Sequence, residues 1–324
     1  MLLNLISVTA QEAGTGKPII VLFGDYTAGL GTHNDVSGFN LTRSRLGYEY
    51  QVLKDLKATV VLDINTLHNG NRSTYFHYAM LEWTYQKLEL SGGLIYLSQF
   101  EVQEAFWGRR YIEKSFQDRY GFGHDSDLGI KARYHFTDWL NADFAITNGE
   151  GTLNINNNNS YKYGLGITLK PTKELTFRAY ADLYSDSQDL RPELDAEAKV
   201  SFTDQKTAAI FAGYSDEQFS LGIEYNYQMN REFVDGCDYY GFSVYGGLPL
   251  SQKLGWFGRY DYVDTQTADG IRYGWTSIAH KNALVTGFEY YPIRQLAIAP
   301  NYRYAETFAG DKYHTIGVNV GFSW

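Results

Sequence analysis

The sequence predicts an all-β fold, a transmembrane antiparallel up-and-down β-barrel of about 16 strands. Three observations lead there: apolar and polar residues alternate with a period of two along most of the chain, the alternating segments are long, and short and long connections take turns between them. Period-two alternation marks strands with unlike faces, because successive side chains point to opposite sides of a sheet. Crossing a roughly 25 Å apolar band at about 45° tilt needs about eleven residues, about twice an ordinary soluble strand.

Composition agrees and excludes several function classes. The 324 residues include 28 Tyr, 19 Phe and 32 Gly against 6 Pro and 3 Met. Tyr and Phe favour strands, and Gly permits bends and close strand approach. Mean hydropathy is −0.36, and no run approaches the roughly 18 consecutive apolar residues of a membrane helix. Cys237 is the single cysteine, so no internal disulfide is expected, and it has no ligand-spaced partner, so neither a metal nor another cofactor is expected. The net charge of −9 argues against a nucleic-acid partner, since phosphate binding needs clustered Lys and Arg. None of His33, His68, His77, His124, His135, His280 and His314 sits in a catalytic motif such as GxSxG or HExxH, so no enzyme is expected.

In chain order, "MLLNLISVTAQEA" opens with an apolar run from Leu2 to Val8, then small residues to Ala10. Residues 1–10 are expected to be the remnant of a signal peptide lacking its basic leader, and residues 11–17 a short lead-in. A single barrel domain, 18–324, follows as segments 18–29, 38–53, 56–67, 73–86, 88–99, 125–137, 139–149, 160–171, 174–185, 205–215, 217–229, 237–249, 253–265, 281–292, 295–306 and 313–324. In "LGIKARYHF" Leu128, Ile130, Ala132, Tyr134 and Phe136 oppose Lys131, Arg133 and His135. In "LTFRAYADLY" Leu175, Phe177, Ala179, Ala181 and Leu183 oppose Arg178 and Asp182, and in "FSLGIEYNY" Ile223 and Tyr225 oppose Glu224 and Asn226. The last strand alternates Ile316, Val318, Val320 and Phe322 with small or polar residues up to Trp324. The segment 195–202 is the one place where a further strand could enter the count.

Short links such as "LKDLK", "YQKL", "FTDW" and "PIRQ" follow every second strand, and the other connections are longer. Aromatics gather near segment ends in outward phase, among them Tyr48, Tyr50, Trp83, Tyr85, Tyr134, Trp256, Tyr260 and Tyr302. A ring with a polar tip suits the headgroup level of a bilayer, so two girdles are expected.

The signal-like start, the two-faced strands and the terminal "IGVNVGFSW" resemble outer-membrane porins of Gram-negative bacteria, and within them most closely the porins related to the phosphate-selective porin O and P family. The resemblance implies location in the bacterial cell outer membrane, contact with outer-membrane lipid, a periplasmic position for residues 11–17 and diffusion of small hydrophilic solutes or ions. It also implies a homotrimer, and barrel-assembly machinery that recognises Phe322 and Trp324 on the last strand. The alternative function is an anchor or adaptor in a larger envelope complex with little transport of its own.

The resemblance further implies that the third extracellular loop, 101–127, folds into the lumen. Its rings Phe106, Trp107, Tyr111, Phe116 and Tyr120 call for burial. It carries six acids against four bases, but between 109 and 119 the bases Arg109, Arg110, Lys114 and Arg119 outnumber Glu113 and Asp118. Across the bore, inward-phase Arg43, Arg45, Asp63, Arg133, Arg178, Asp182 and Arg259 are the further constriction candidates, since opposed charges filter ions in a pore. Signs at this throat are mixed, with a weak anion preference expected. Alternatively the charges pair among themselves and hold the loop in place.

Overall fold

The structure is a computed structural model that describes residues 14–31, 37–66, 72–153, 158–194, 199–271 and 280–324. The strands are β1 (Gly16–Leu30), β2 (Ser37–Leu53), β3 (Leu56–Thr66), β4 (Arg72–Tyr85), β5 (Leu88–Tyr96), β6 (Ser126–Thr137), β7 (Leu140–Thr147) and β8 (Lys162–Leu169). They continue as β9 (Leu175–Tyr184), β10 (Gln205–Ser215), β11 (Ser220–Met229), β12 (Asp238–Pro249), β13 (Leu254–Gln266), β14 (Asn282–Ile293), β15 (Leu296–Glu306) and β16 (Lys312–Ser323).

Each strand pairs antiparallel with the next, and β1 pairs with β16 from Val21↔Ser323 to Leu30↔His314, closing the barrel. Closure leaves no row of unpaired backbone groups, the condition for a sheet in hydrocarbon. The observed strands follow the expected segments with small shifts at their ends. β5 stops at Tyr96 rather than 99, because the chain there turns inward. Among the described residues the stretch around Phe202 forms only an isolated bridge to Val234, so it adds no strand. Residues 195–198 and the signal-like residues 1–10 lie outside the described residues, and β1 begins two residues earlier than expected.

The two faces are inverted relative to a soluble protein. Outward Leu46, Ile130 and Ile210 are 61–63% exposed, while inward Glu224, Asn226 and Asp261 are at most 1% exposed. Apolar residues stand exposed on the outward side of strand after strand, far beyond the few hundred Å² a soluble monomer tolerates. Lipid is the environment that makes such a surface stable.

Register irregularities shape the wall locally. The β3–β4 register shifts between Val61 and Leu62, and the extra residue in β4 lets both His77 and Tyr78 reach Arg45 from the bore side. Bulges re-aim side chains in this way.

Candidate functional site

Between β5 and β6 the chain makes helix α1 (Glu101–Trp107), a turn, and a single-turn helix α2 (Phe116–Arg119) before returning at Asp125. Its rings pack on inward-facing wall residues. Trp107 meets Tyr245 edge-on at 5.6 Å and Phe257 at 6.3 Å, and Phe106 meets Phe211 at 5.2 Å. Phe116, Tyr120 and Phe122 form a second buried cluster with Tyr239 and Val263. Glycines make the room: a Cβ on Gly222 would lie 3.0 Å from the Phe106 ring, and one on Gly321 would lie 2.7 Å from Tyr111. Each aromatic ring buries about 150–250 Å², so at about 25 cal/mol per Å² the rings together hold this segment against the wall.

The wall also captures backbone carbonyls of the segment. Arg178 donates through Nη2 to the Ser98 carbonyl at 2.6 Å, Arg303 through Nη2 to that of Ile112 at 2.6 Å, and Asn319 through Nδ2 to that of Tyr111 at 2.9 Å. Arg259 donates to the Lys114 carbonyl at 2.5 Å, and Arg231, in the connection between β11 and β12, donates to those of Gly121 and Tyr120 at 3.2 and 3.4 Å. Carboxylates balance these cations: Asp143 accepts from Arg178 at 2.8 and 3.0 Å, Asp261 from Arg259 at 2.7 and 2.8 Å, and Glu113 from Arg303 at 3.2 Å. Buried charge is tolerable only when paired and hydrogen-bonded, as here.

Several constriction candidates therefore sit elsewhere than expected. Arg178 and Arg259 are 3% and 2% exposed, in the seam between wall and segment, and Asp182 is held by Lys162 Nζ at 3.0 Å. Arg109 points away from Arg43 and Arg45, because Glu289 on β14 takes its Nε at 2.7 Å. Arg119 is likewise drawn off, to Glu113 at 2.9 Å and Asp261 at 3.9 Å. Arg133 is tied to Glu101 at the start of α1.

The remaining candidates, Glu113 apart, do meet. Arg45 Nε lies 2.7 Å and Arg43 Nε 3.6 Å from the same Asp63 oxygen. Asp125 Oδ2 joins this wall to the segment, with Arg45 at 3.5 Å, His77 at 3.2 Å and Arg110 at 3.4 Å. Arg110 also pairs with Glu104 and Asp118, and Lys114 reaches Asp118 at 3.4 Å. Lys114 is the most exposed member, its side chain 58% accessible, and Asp63 the most buried at 4%, while Arg43, Arg45, Arg110, Glu104, Asp118 and Asp125 lie between 11% and 16%. Burial pushes the Asp125 carboxyl up, but the hydrogen bond from His77 and the charges of Arg110 and Arg45 outweigh it and hold it well below the usual range. Glu113 is held down in the same manner, with Arg119 and Arg303 overcoming its burial. For Arg110, burial opposes the charge but Asp118, Glu104 and Asp125 raise its pKa.

His77, Glu104, Asp125, Arg231 and Glu289 belong to this arrangement and were missed as site residues. Asp125 and Glu104 were visible as loop acids, but His77 enters the bore through a bulge that its alternation conceals, and nothing in the sequence around Arg231 signals its reach to Tyr120. At the closing seam the Trp324 backbone exchanges two hydrogen bonds with Ile20, at 3.0 and 2.9 Å, and its ring is exposed. Phe322 pairs with Leu22 and Leu296.

Comparison with known proteins agrees with the barrel fold. The chain superposes on OmpF of Salmonella typhi, solved with daunomycin, with a TM-score of 0.75 at 13% identity over 98% of this chain and 99% of that one. It is similar to an anion-selective porin from Comamonas acidovorans (TM-score 0.69, 11% identity, 96% and 100% covered). It is also similar to the trimer form of OmpT, an outer membrane protein of Vibrio cholerae (TM-score 0.64, 14% identity, 97% and 100% covered). No curated protein matches its sequence. The family described as beta-barrel porin-2, OmpL-like (BBP2) matches residues 126–322. With more than half of its length matched and its strands closed into a sixteen-stranded barrel, the chain belongs to the BBP2 family of OmpL-like outer-membrane porins.

Proposed function

We propose that the protein is a passive diffusion channel for small hydrophilic solutes and ions, narrowed where segment 97–125 faces the β2–β4 wall, with a weak preference for anions. The observation that carries this is the cluster of Arg43, Arg45, Arg110 and Lys114 around Asp63, Glu104, Asp118 and Asp125, whose most exposed member is a cation, Lys114, and whose most buried is an acid, Asp63. Arg43 contributes most to the preference, because Asp63 is shared with Arg45 and approaches it only at 3.6 Å. An exposed cation above a buried acid concentrates anions locally without excluding cations, even where the charges of the cluster balance.

The same proposal includes a homotrimer, like the Vibrio cholerae relative, and recognition of Phe322 and Trp324 by the assembly machinery. No catalytic step is part of it. Planar-bilayer recording of the purified protein in a salt gradient tests the reading: discrete conductance steps and a reversal potential of modest anion preference are expected. A protein that inserts yet neither conducts nor supports liposome swelling would instead be an anchor or adaptor.

A further inference from the structure

Behind the inward segment, against β14–β16, lies a cavity of about 300 Å³. Glu113 and Arg119 line it from the segment, and Arg303, Val285 and Ala305 from one patch of wall, Val285 directly opposite Arg303 across the β14–β15 ladder and Ala305 two residues on; His280 completes the lining. Around it stand three guanidiniums, of Arg119, Arg259 and Arg303, and two carboxylates, of Glu113 and Asp261, so the site keeps an excess positive charge. Arg303 is already committed, donating to Asn301 and Asn319 side chains, to the Ile112 carbonyl and to Glu113. Arg119 differs: its ion pairs, with Glu113 at 2.9 Å and Asp261 at 3.9 Å, both run through Nη1. His280 Nδ1 is buried without a partner among the described residues, with its ring 6.0 Å from that of Tyr313.

We propose that this cavity binds a small organic carboxylate with a compact apolar body. The carboxylate would take the open edge of the Arg119 guanidinium, whose planar fork matches two oxygens, and the His280 nitrogen. The apolar body would cover Val285 and Ala305. The volume sits at the lower end of ligand cavities, about 300–1,000 Å³, which suits a single ring or short chain. The inference rests on the channel reading in one respect, that solute reaches the cavity through the bore.

Calorimetric titration of the detergent-solubilised full chain with benzoate, and separately with inorganic phosphate, tests it. Benzoate is expected to bind, with affinity reduced about tenfold or more in Arg119→Gln through loss of a charge-assisted contact. Ala305→Leu fills the apolar side without altering charge, and is expected to abolish benzoate binding even if Arg119→Gln fails to fold. Benzoate affinity unchanged in Ala305→Leu, or phosphate binding as tightly as benzoate, would overturn the proposal. Conductance of the same preparations keeps the two readings apart: conducting channels that bind no benzoate sink this site alone, and non-conducting barrels that bind it sink the channel alone.

Discussion

Arg303 on β15 donates through Nη2 to the carbonyl oxygen of Ile112 at 2.6 Å, across a separation of 191 residues. The barrel wall thus holds the inward segment by its backbone as well as by its buried rings. Replacing Arg303 with Ala is expected to cost about 1–3 kcal/mol, since a charge-assisted donor is lost and a buried carbonyl left unmet. Denaturant unfolding in detergent would register the loss, and single-channel current should become noisier. An Arg303→Lys protein is expected to recover part of both, through one retained charge.

Trp107 is 1% exposed between Tyr245 and Phe257. Its replacement by Ala should destabilise the docked segment by about 3–5 kcal/mol. Because closure of the barrel does not involve this ring, the protein should still insert, with larger and more variable conductance steps than the parent. Conductance identical to the parent would show that the ring does not hold the segment in place.

Charge at the throat gives a directional test. Arg43→Gln is expected to move the reversal potential toward cation preference, and Asp63→Asn to move it the other way, because the two share one contact at 3.6 Å. Measured under a tenfold salt gradient, shifts of the same sign in both variants would contradict an electrostatic origin.

Acid should loosen the segment. The folded-state pKa of Asp125 and of Glu113 is depressed, so their contribution to stability is fully present above their unfolded values of about 4 and is lost as pH falls through the folded ones. Conductance is therefore expected to stay steady from neutral pH down to about 5, with fluctuations growing below about 4. Recordings stepped from pH 7 to pH 3 would check this; onset of noise between pH 6 and 7 would point to a different group.

The strands were legible because two environments write a simple code. Ile223 and Tyr225 face outward while Glu224 and Asn226 face inward, and that alternation survives in any one strand read alone. Positions in the bore were less legible, because they depend on partners far away in sequence. Arg109 and Arg110 are adjacent, yet Glu289, 180 residues on, draws Arg109 to the wall behind, whereas Arg110 finds Asp125. Local charge counting treats the two alike. The same limitation hid Arg259 and Arg178, which look like pore-lining bases until the carbonyls of Lys114 and Ser98 are placed against them.

The central claim is that outward flanks touch hydrocarbon and inward flanks enclose a water-filled bore. In a Cys237→Ser background, Leu46→Cys on the outward face of β2 and Glu49→Cys on its inward face should differ sharply toward a membrane-impermeant thiol reagent. In bilayers, Glu49→Cys is expected to be modified, with a step change in current, while Leu46→Cys stays unreactive. Rapid labelling of Leu46→Cys in the membrane-embedded protein, with Glu49→Cys protected, would contradict the claim.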